Sequence, residues 1–390
     1  MSYQLYGDGI HDDYPAIQEM LDSLLCEVVL PIPKKCYRIS KTLKIRGNQT
    51  LRLPRFATIR LMDGANCEML ENEDFDNWNE NICVDGGIWD ANNKNQMQNP
   101  YHYKDENGLT WWDKMGVQHY DMNIFRTMKS FPKLYFSGDC MRFCRVKNLV
   151  VKNVTIKNPV LYGIRLGHVE NFSVSHIVFD YKESISGFWN MDGLHLEGGC
   201  KNGRVVDIKG VTHDDLVAVT SDDGLYGPIE NILIDGLFAE NAHSAVRILS
   251  HGVPVKNVTV RNVYGSYYVY CIGITHAFEE DERGVLENIV IDNVAACTGN
   301  PPEGFRTDFF ERYAVIRVQF GLDIDGLSIS NVNRVENNYP APLFKVDKCT
   351  TIKNLRLRDI YQKNEMDVPV PFIEIDGDVE IVSQENLKEI

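Results

Sequence analysis

NVTVRNV, residues 257–263, is one of eight versions of a single seven-residue phrase. The others are NLVVKNV from Asn148, NFSVSHI from Asn171, NGRVVDI from Asn202, NILIDGL from Asn231, NIVIDNV from Asn288, GLSISNV from Gly326 and NLRLRDI from Asn354. Positions two, four and seven are nearly always aliphatic, and position six is Asn, Asp, His or Gly. Successive copies start 23, 31, 29, 26, 31, 38 and 28 residues apart. A short alternating strand at such a period is one coil of an all-β solenoid, too small to bury its apolar face alone. Alternation sends positions two and four into one shared core. The polar sixth position predicts a bend, because Asn and Gly accept left-handed backbone.

The bulk numbers agree with one solenoid domain over residues 1–390, since a solenoid grows by adding coils. Apolar content of 44% supplies a continuous core. No run of 18 apolar residues spans a membrane. The first residues, MSYQLYGDG, have neither a basic start nor an apolar stretch, so the chain as it stands is expected in the cytoplasm, and outside the cell if a leader was removed. Net charge is −15, with acids spread along the chain, which disfavours nucleic acid and anionic membranes as partners. The ten cysteines show no CxxC pair, Cys140 and Cys144 being the closest, and read as reduced, mostly buried thiols. The pattern selects no oligomeric state.

GDGIHDDYPAIQEMLDSLL puts Asp12 and Asp13 at the entry to a helical pattern of Ala16, Ile17, Met20, Leu21, Leu24 and Leu25. Such a helix, within an N-terminal cap of residues 1–30, covers the open edge of the first coil. Strand-like pieces follow from Val28, Tyr37, Thr50 and Ala57. Periodicity fades over residues 92–138, a polar stretch with Tyr101, Tyr103, Trp111, Trp112 and His119, and again over 298–312. Both read as loop insertions. Between phrase copies lies a second alternating strand: YGIRLG, DGLHLEG, DDLVAVTS, SAVRILS, CIGITH and AVIRVQF. With Ile164, Leu194, Leu196, Val246, Ile248, Ile272 and Ile274 inward, the outward set holds Arg165, His195, Glu197, Arg247, Gly273 and Thr275. Stacked coils bring these to rungs about 4.8 Å apart in one open groove.

At this point the chain resembles the pectin-lyase-like superfamily and, more specifically, glycoside hydrolase family 28, the polygalacturonases and their relatives. The likeness runs end to end. GDGIHDDYPAIQ resembles the opening motif, VVLPIPKKCYRISKTLKI the first coil, and GGIWDANNKNQ the stretch before a tryptophan-bearing loop, here WWDK from Trp111. It implies a right-handed single-stranded parallel β-helix with a short N-terminal capping helix. NMDGLHLEG resembles the family's Asn-Thr-Asp segment and places a catalytic aspartate at Asp192. HDDLVAVTS resembles the segment of adjacent aspartates and places Asp214 and Asp215. NAHSAVRILS resembles the Gly-His-Gly segment and places His243, with Ala242 and Ser244 in place of the glycines. The intervals of 22 and 28 residues are one coil each. By analogy Asp214 is the general acid, with Asp192 and Asp215 holding the attacking water. The family's next coil carries an Arg-x-Lys pair for a substrate carboxylate, and here CIGITH has Gly273 and Thr275. Arg247 and Arg317 are the cations left nearby, which leaves a neutral sugar or a different uronide as the substrate.

Glycosidic cleavage needs one carboxylic acid for the leaving oxygen and one carboxylate to activate water or attack carbon. Crowded aspartates repel, so one keeps its proton near neutrality and a single residue type supplies acid and base. His243 tunes an aspartate or takes a sugar hydroxyl. His195, Glu197, Arg165, Arg247, Thr275 and Arg317 are the candidate substrate contacts. Trp189, Tyr267, Tyr268 and Phe278 are candidates for stacking on sugar rings, against a role as buried coil ends. Asp222-Asp223 reads as a polar bend, and His213 and His251 as structural. The expected function is an inverting, exo-acting glycosidase on a pectin-related or other oligosaccharide, without metal or organic cofactor. The alternatives are a polysaccharide lyase on the same scaffold and a non-catalytic carbohydrate-binding β-helix.

Overall fold

Every copy of the phrase is strand at positions one to five, the first copy leaving the strand after Lys152, and position four forms one unbroken ladder through eight coils. Val151 pairs with Val174, Val174 with Val205, Val205 with Ile234, and so on through Val260, Ile291 and Ile329 to Leu357. All eight are buried in the single large core. The structure is a computed structural model that describes residues 4–97, 104, 107–109, 113, 131, 136–182, 190–276, 282–303, 305 and 313–389. Among these, 25 strands join in parallel register, and the chain winds as a right-handed parallel β-helix. The inward set of the second strand, Ile164, Leu194, Leu196, Val246, Ile248, Ile272 and Ile274, is buried as its alternation requires.

Position six is left-handed in all eight copies, with φ between 54° at Asn331 and 81° at Gly236. Position one is left-handed as well, from 54° at Asn288 to 84° at Gly326, a second bend that the sequence reading did not assign. Asparagine suits position one twice over. It tolerates the backbone, and its amide bonds the same residue one coil back: Asn231 Nδ2 donates to Asn202 Oδ1, Asn257 to Asn231, and Asn288 to Asn257, each at 2.9 Å.

Gly203 is the exception at position two, and its partner explains it. It pairs with Phe172, whose ring atoms lie 2.1 Å from where a Cβ would stand. Gly203→Val is therefore expected to destabilise the protein by about 1–3 kcal/mol through overpacking. In a Phe172→Val background the same change is expected to fill space instead. A double-mutant cycle by urea unfolding checks this, and additive effects count against it.

The capping helix runs Tyr14–Asp22, with Ala16, Ile17 and Leu21 buried. Gln18 holds it to the first coil by accepting from Lys44 N at 2.8 Å and donating to Lys44 O at 3.1 Å. The helix is shorter than its pattern: Leu24 and Leu25 lie beyond its end, Leu24 being 89% exposed. Of the acidic entry, Asp12 Oδ1 accepts from Tyr14 N, the first N–H of the helix, at 3.0 Å, whereas the Asp13 side chain makes no capping bond. Asp13 accepts from the N–H groups of Tyr6, Gly7 and Arg38, and Asp12 from Ser40, so both tie the N-terminal segment to the first coil. The second insertion starts later than its polar composition suggests, because the strand Gly284–Thr298 carries residue 298 into the sheet. Most of the first insertion, with Tyr101, Tyr103, Trp111, Trp112 and His119, and also Trp189 and Phe278, lies outside the described residues. Among the described residues no helix is long and apolar enough to cross a membrane.

The second strand builds one outward-facing row. Lys44, Glu71, Arg142, Arg165, His195, Ala218, Arg247, Gly273, Arg317, Lys345 and Glu374 pair in turn from coil to coil. This row is the floor of the groove, and the candidate site sits at its middle.

Candidate active site

Two successive coils supply the aspartates, and a third supplies His243. Asp215 opens the strand Asp215–Thr220 and pairs with Ser244, which pairs with Tyr270 on the next coil. Asp192 stands one coil before, where its Oδ1 accepts from Asp215 N at 3.2 Å. The ladder slips between Ala242 and Ser244. An irregularity there re-aims the intervening side chain, His243, towards the cluster. One ligand atom from each of Asp214, Asp215 and His243 lies within 4.8 Å of the others. These three are the described residues spaced to hold a metal ion; two carboxylates and an imidazole differ from the all-oxygen set of calcium.

The three carboxylates are wired differently. Asp215 Oδ1 accepts from Ser244 Oγ and from Tyr270 Oη at 3.3 Å, whereas Oδ2 has no hydrogen-bond partner and sees Arg247 Nη1 at 3.9 Å. Asp214 Oδ2 accepts from Asn190 N at 2.9 Å, and Oδ1 lies 3.5 Å from His243 Nδ1. Its side chain is 19% exposed, the most accessible of the three. Asp192 is spent on its neighbours, with Oδ2 at 2.6 Å from His195 Nδ1.

Burial raises all three carboxyls above their ordinary range. For Asp192 the charge of Asp215 adds to burial, and for Asp214 the charges of Asp192 and Asp215 do. Asp215 is raised least distinctly, because Arg247 and the Ser244 hydroxyl work against burial. Burial, then Arg247 and His213, pushes the His243 imidazole down to about 3, so it is neutral at ordinary pH. Since the Ser244 hydroxyl proton goes to Asp215, the network assigns a hydrogen to His243 Nδ1, which donates to Ser244 Oγ at 3.0 Å. The Thr220 hydroxyl donates to Leu196 O, so His195 Nε2 donates to Thr220 at 3.1 Å. Burial also lowers His195. Its Nδ1 then accepts, and Asp192 carries the shared proton.

Several expected groove residues are covered or already paired. Arg165, His195 and Glu197 were expected to face an open groove, yet they are 5%, 1% and 0% exposed. Arg165 Nε donates to Glu197 Oε1 at 2.6 Å and its Nη1 faces Asp139 at 3.4 Å, while Glu197 Oε2 accepts from Leu225 N. Phe131, from the first insertion, lies over Arg165 with 4.7 Å from guanidinium carbon to ring centroid, and Tyr162 stacks on His195 at 4.1 Å. Thr275 is buried and accepts from Arg247 Nε at 3.2 Å. Arg317 is held by Asp347 at 2.7 Å and lies 3.6 Å from the Tyr313 centroid. Of the six, Arg247 and the buried His195 stand beside the cluster, and Arg247 is the one that reaches solvent.

Ser244, Tyr270 and Thr220 were missed. The signal for Tyr270 was in the alignment, since Asp215, Ser244 and Tyr270 each stand two residues before an inward aliphatic: Val217, Val246 and Ile272. Tyr267 is core, and Tyr268 packs edge-on against His243 at 5.5 Å. Asp222 holds its bend by accepting from His251 N and Val253 N. Further along the groove, a cavity of about 650 Å³ is lined by His276, Arg283, Lys345 and Lys348 and contains none of the three aspartates. Its Arg283 is bound to Asp323 and its Lys345 to Glu374.

No protein-family model matches the chain. Solved structures do match, over nearly its whole length. A hyperthermoactive exopolygalacturonase from Thermotoga maritima shares 17% identity at a TM-score of 0.58, covering 90% of this chain and 89% of that one. A family 28 exopolygalacturonase from Yersinia enterocolitica shares 14% at 0.56, over 98% of this chain and 77% of that one. A tailspike protein of E. coli bacteriophage HK620, in complex with a pentasaccharide, shares 12% at 0.60, over 97% of this chain and 64% of that one. These likenesses show the fold, a right-handed parallel β-helix.

Proposed function

We propose that this protein is a glycosidase that cleaves an oligosaccharide from one end, with inversion, using Asp214 as acid and Asp215 as base. The observation that carries the reading is the contrast between these two carboxylates. Asp214 is raised by burial and by two neighbouring aspartates, reaches solvent, and so retains a proton for the leaving oxygen. Asp215 is raised by burial too, but Arg247, the Ser244 hydroxyl and Tyr270 work against that and favour its ionised form, and it presents one unbonded oxygen for a water. Asp192 fixes the Asp215 main chain through its N–H rather than meeting substrate.

End-on action is supported by the groove floor. Upstream of the cluster Glu71, Arg142, Arg165 and His195 are buried. Phe75, Phe131, Cys144 and Leu225 form an apolar cluster beside them, and Arg142 lies near both rings. Downstream, Arg247 and Lys345 reach solvent. A chain enters from the open side and stops at the cluster.

Incubation with an oligosaccharide panel tests the reading: new reducing ends should appear one terminal unit at a time. NMR of the first product should show the opposite anomer to the substrate. An unsaturated, ultraviolet-absorbing product means a lyase instead, and a trapped glycosyl-enzyme refutes inversion. A pH profile adds a sharper check. Ser244→Ala removes a donor that favours ionised Asp215, so kcat/KM on the acid limb is expected to fall about tenfold, ~1.4 kcal/mol, while the alkaline limb stays in place.

A further inference from the structure

The rung after the catalytic histidine coil presents Gly273, and Gly273 is there for space rather than for backbone freedom. Its φ is outside the left-handed region, but an added Cβ would come 2.7 Å from Cε2 and Cζ of the Tyr270 ring. The ring therefore lies across the groove floor where a side chain of the outward row would stand. Its hydroxyl end reaches Asp215, and Tyr313 lies roughly parallel to it at 6.5 Å. One rung further, Arg317 is bonded to Asp347 and covered by Tyr313. Two rungs span about 10 Å, so this aromatic stretch is the floor under the sugar next to the cleaved bond on the open side.

Charge points the same way. At the cluster Arg247 is shared between Asp215 and Thr275. Beyond it Arg317 is matched by Asp347 and Lys345 by Glu374. Among the described residues along this floor, each cation has its own carboxylate within reach. A carboxylate or sulfate on the incoming sugar would have to displace one of these carboxylate partners from its cation and bring a further anion beside the aspartates. An uncharged sugar ring has an apolar C–H face for the aromatic wall and hydroxyls for its polar edges.

We propose that the subsite over Gly273 and Arg317 takes a neutral pyranose, packed against Tyr270 and Tyr313, and excludes a uronate or sulfated sugar. This rests on the glycosidase reading for the position of the scissile bond, not for the recognition itself. The probe is an oligosaccharide digest of plant cell wall, used as prepared and again after its uronates are reduced to neutral sugars. Saturation-transfer NMR with the Asp214→Asn protein reads binding, and reducing-end release by the wild type reads turnover. The expected result is a bound signal that is kept or strengthened on reduction, strongest on ring C–H protons. Tyr313→Ala is expected to weaken it about tenfold, with Tyr313→Phe restoring it. Binding that is lost on reduction overturns the proposal, as does no binding of either digest or an unchanged signal in Tyr313→Ala. Neutral ligands that bind without being cleaved leave the subsite standing and remove the glycosidase reading. Turnover confined to the unreduced digest does the reverse.

Discussion

Asp214→Asn is expected to lower kcat about a thousandfold on an oligosaccharide, the middle of the range for a general acid, while the protein becomes more stable at pH 7. The loss is expected to be much smaller on a nitrophenyl glycoside, whose leaving group needs little protonation. The stability gain follows from the direction of the pKa shift. Burial first, then Asp192 and Asp215, hold the Asp214 carboxyl above its unfolded value. For such a group the folded state is favoured at pH below the unfolded pKa, and stability is lost as pH rises through the raised folded one. Asparagine does not ionise and escapes that loss. A gain of about 0.5–2 kcal/mol at pH 7 is expected, vanishing below about pH 4, where both states of the wild type carry the proton. Thermal unfolding at both pH values measures it. A variant less stable than wild type at pH 7 would mean that Asp214 is an ordinary paired carboxylate.

The second large effect lies beside the site. Glu197→Ala takes from the buried Arg165 guanidinium the carboxylate its Nε donates to, and from Leu225 N its acceptor. About 3–5 kcal/mol of stability is expected to go, the usual consequence of breaking a buried ion pair from one side. Removing the charge from both sides is a different matter. In Arg165→Met with Glu197→Gln the amide still accepts from Leu225 N, the methionine fills similar space beside Phe131, and the buried Asp139, which loses Arg165, keeps the Ser137 hydroxyl. Most of the lost stability is expected back in this double variant. Urea unfolding of the three proteins decides it. Equal losses in the single and double variants would show that the pair contributes net stability of its own. A protein whose groove were open here would tolerate Glu197→Ala with little change.

Both expectations concern residues that the sequence brought to notice for partly different reasons. Parity along the second strand placed Arg165, His195 and Glu197 on the outer face, and the register agrees. It gave no warning that the outer face is covered on this side, because Phe131, Leu225 and Tyr162 arrive from other stretches of chain. Tyr270 is the converse case. Its alignment with Asp215 and Ser244 could be counted from the chain, but that its ring would cross Gly273 depended on a side-chain direction no spacing contains.

The chain alone determined the coil. Aliphatic residues at positions two, four and seven, with asparagine, aspartate or glycine at the bends, act through contacts between adjacent coils, so a one-dimensional pattern is enough to specify them. Resemblance to family 28 segments, set at intervals of about one coil, singled out Asp192, Asp214, Asp215 and His243 at the ends of neighbouring strands. Only the tertiary structure decided what each group meets there: which oxygen of Asp215 stays unbonded, why Asp192 turns to His195, and where the groove closes. Those outcomes depend on burial and on donors from loops with no period, and free energies of ionisation change with every such neighbour.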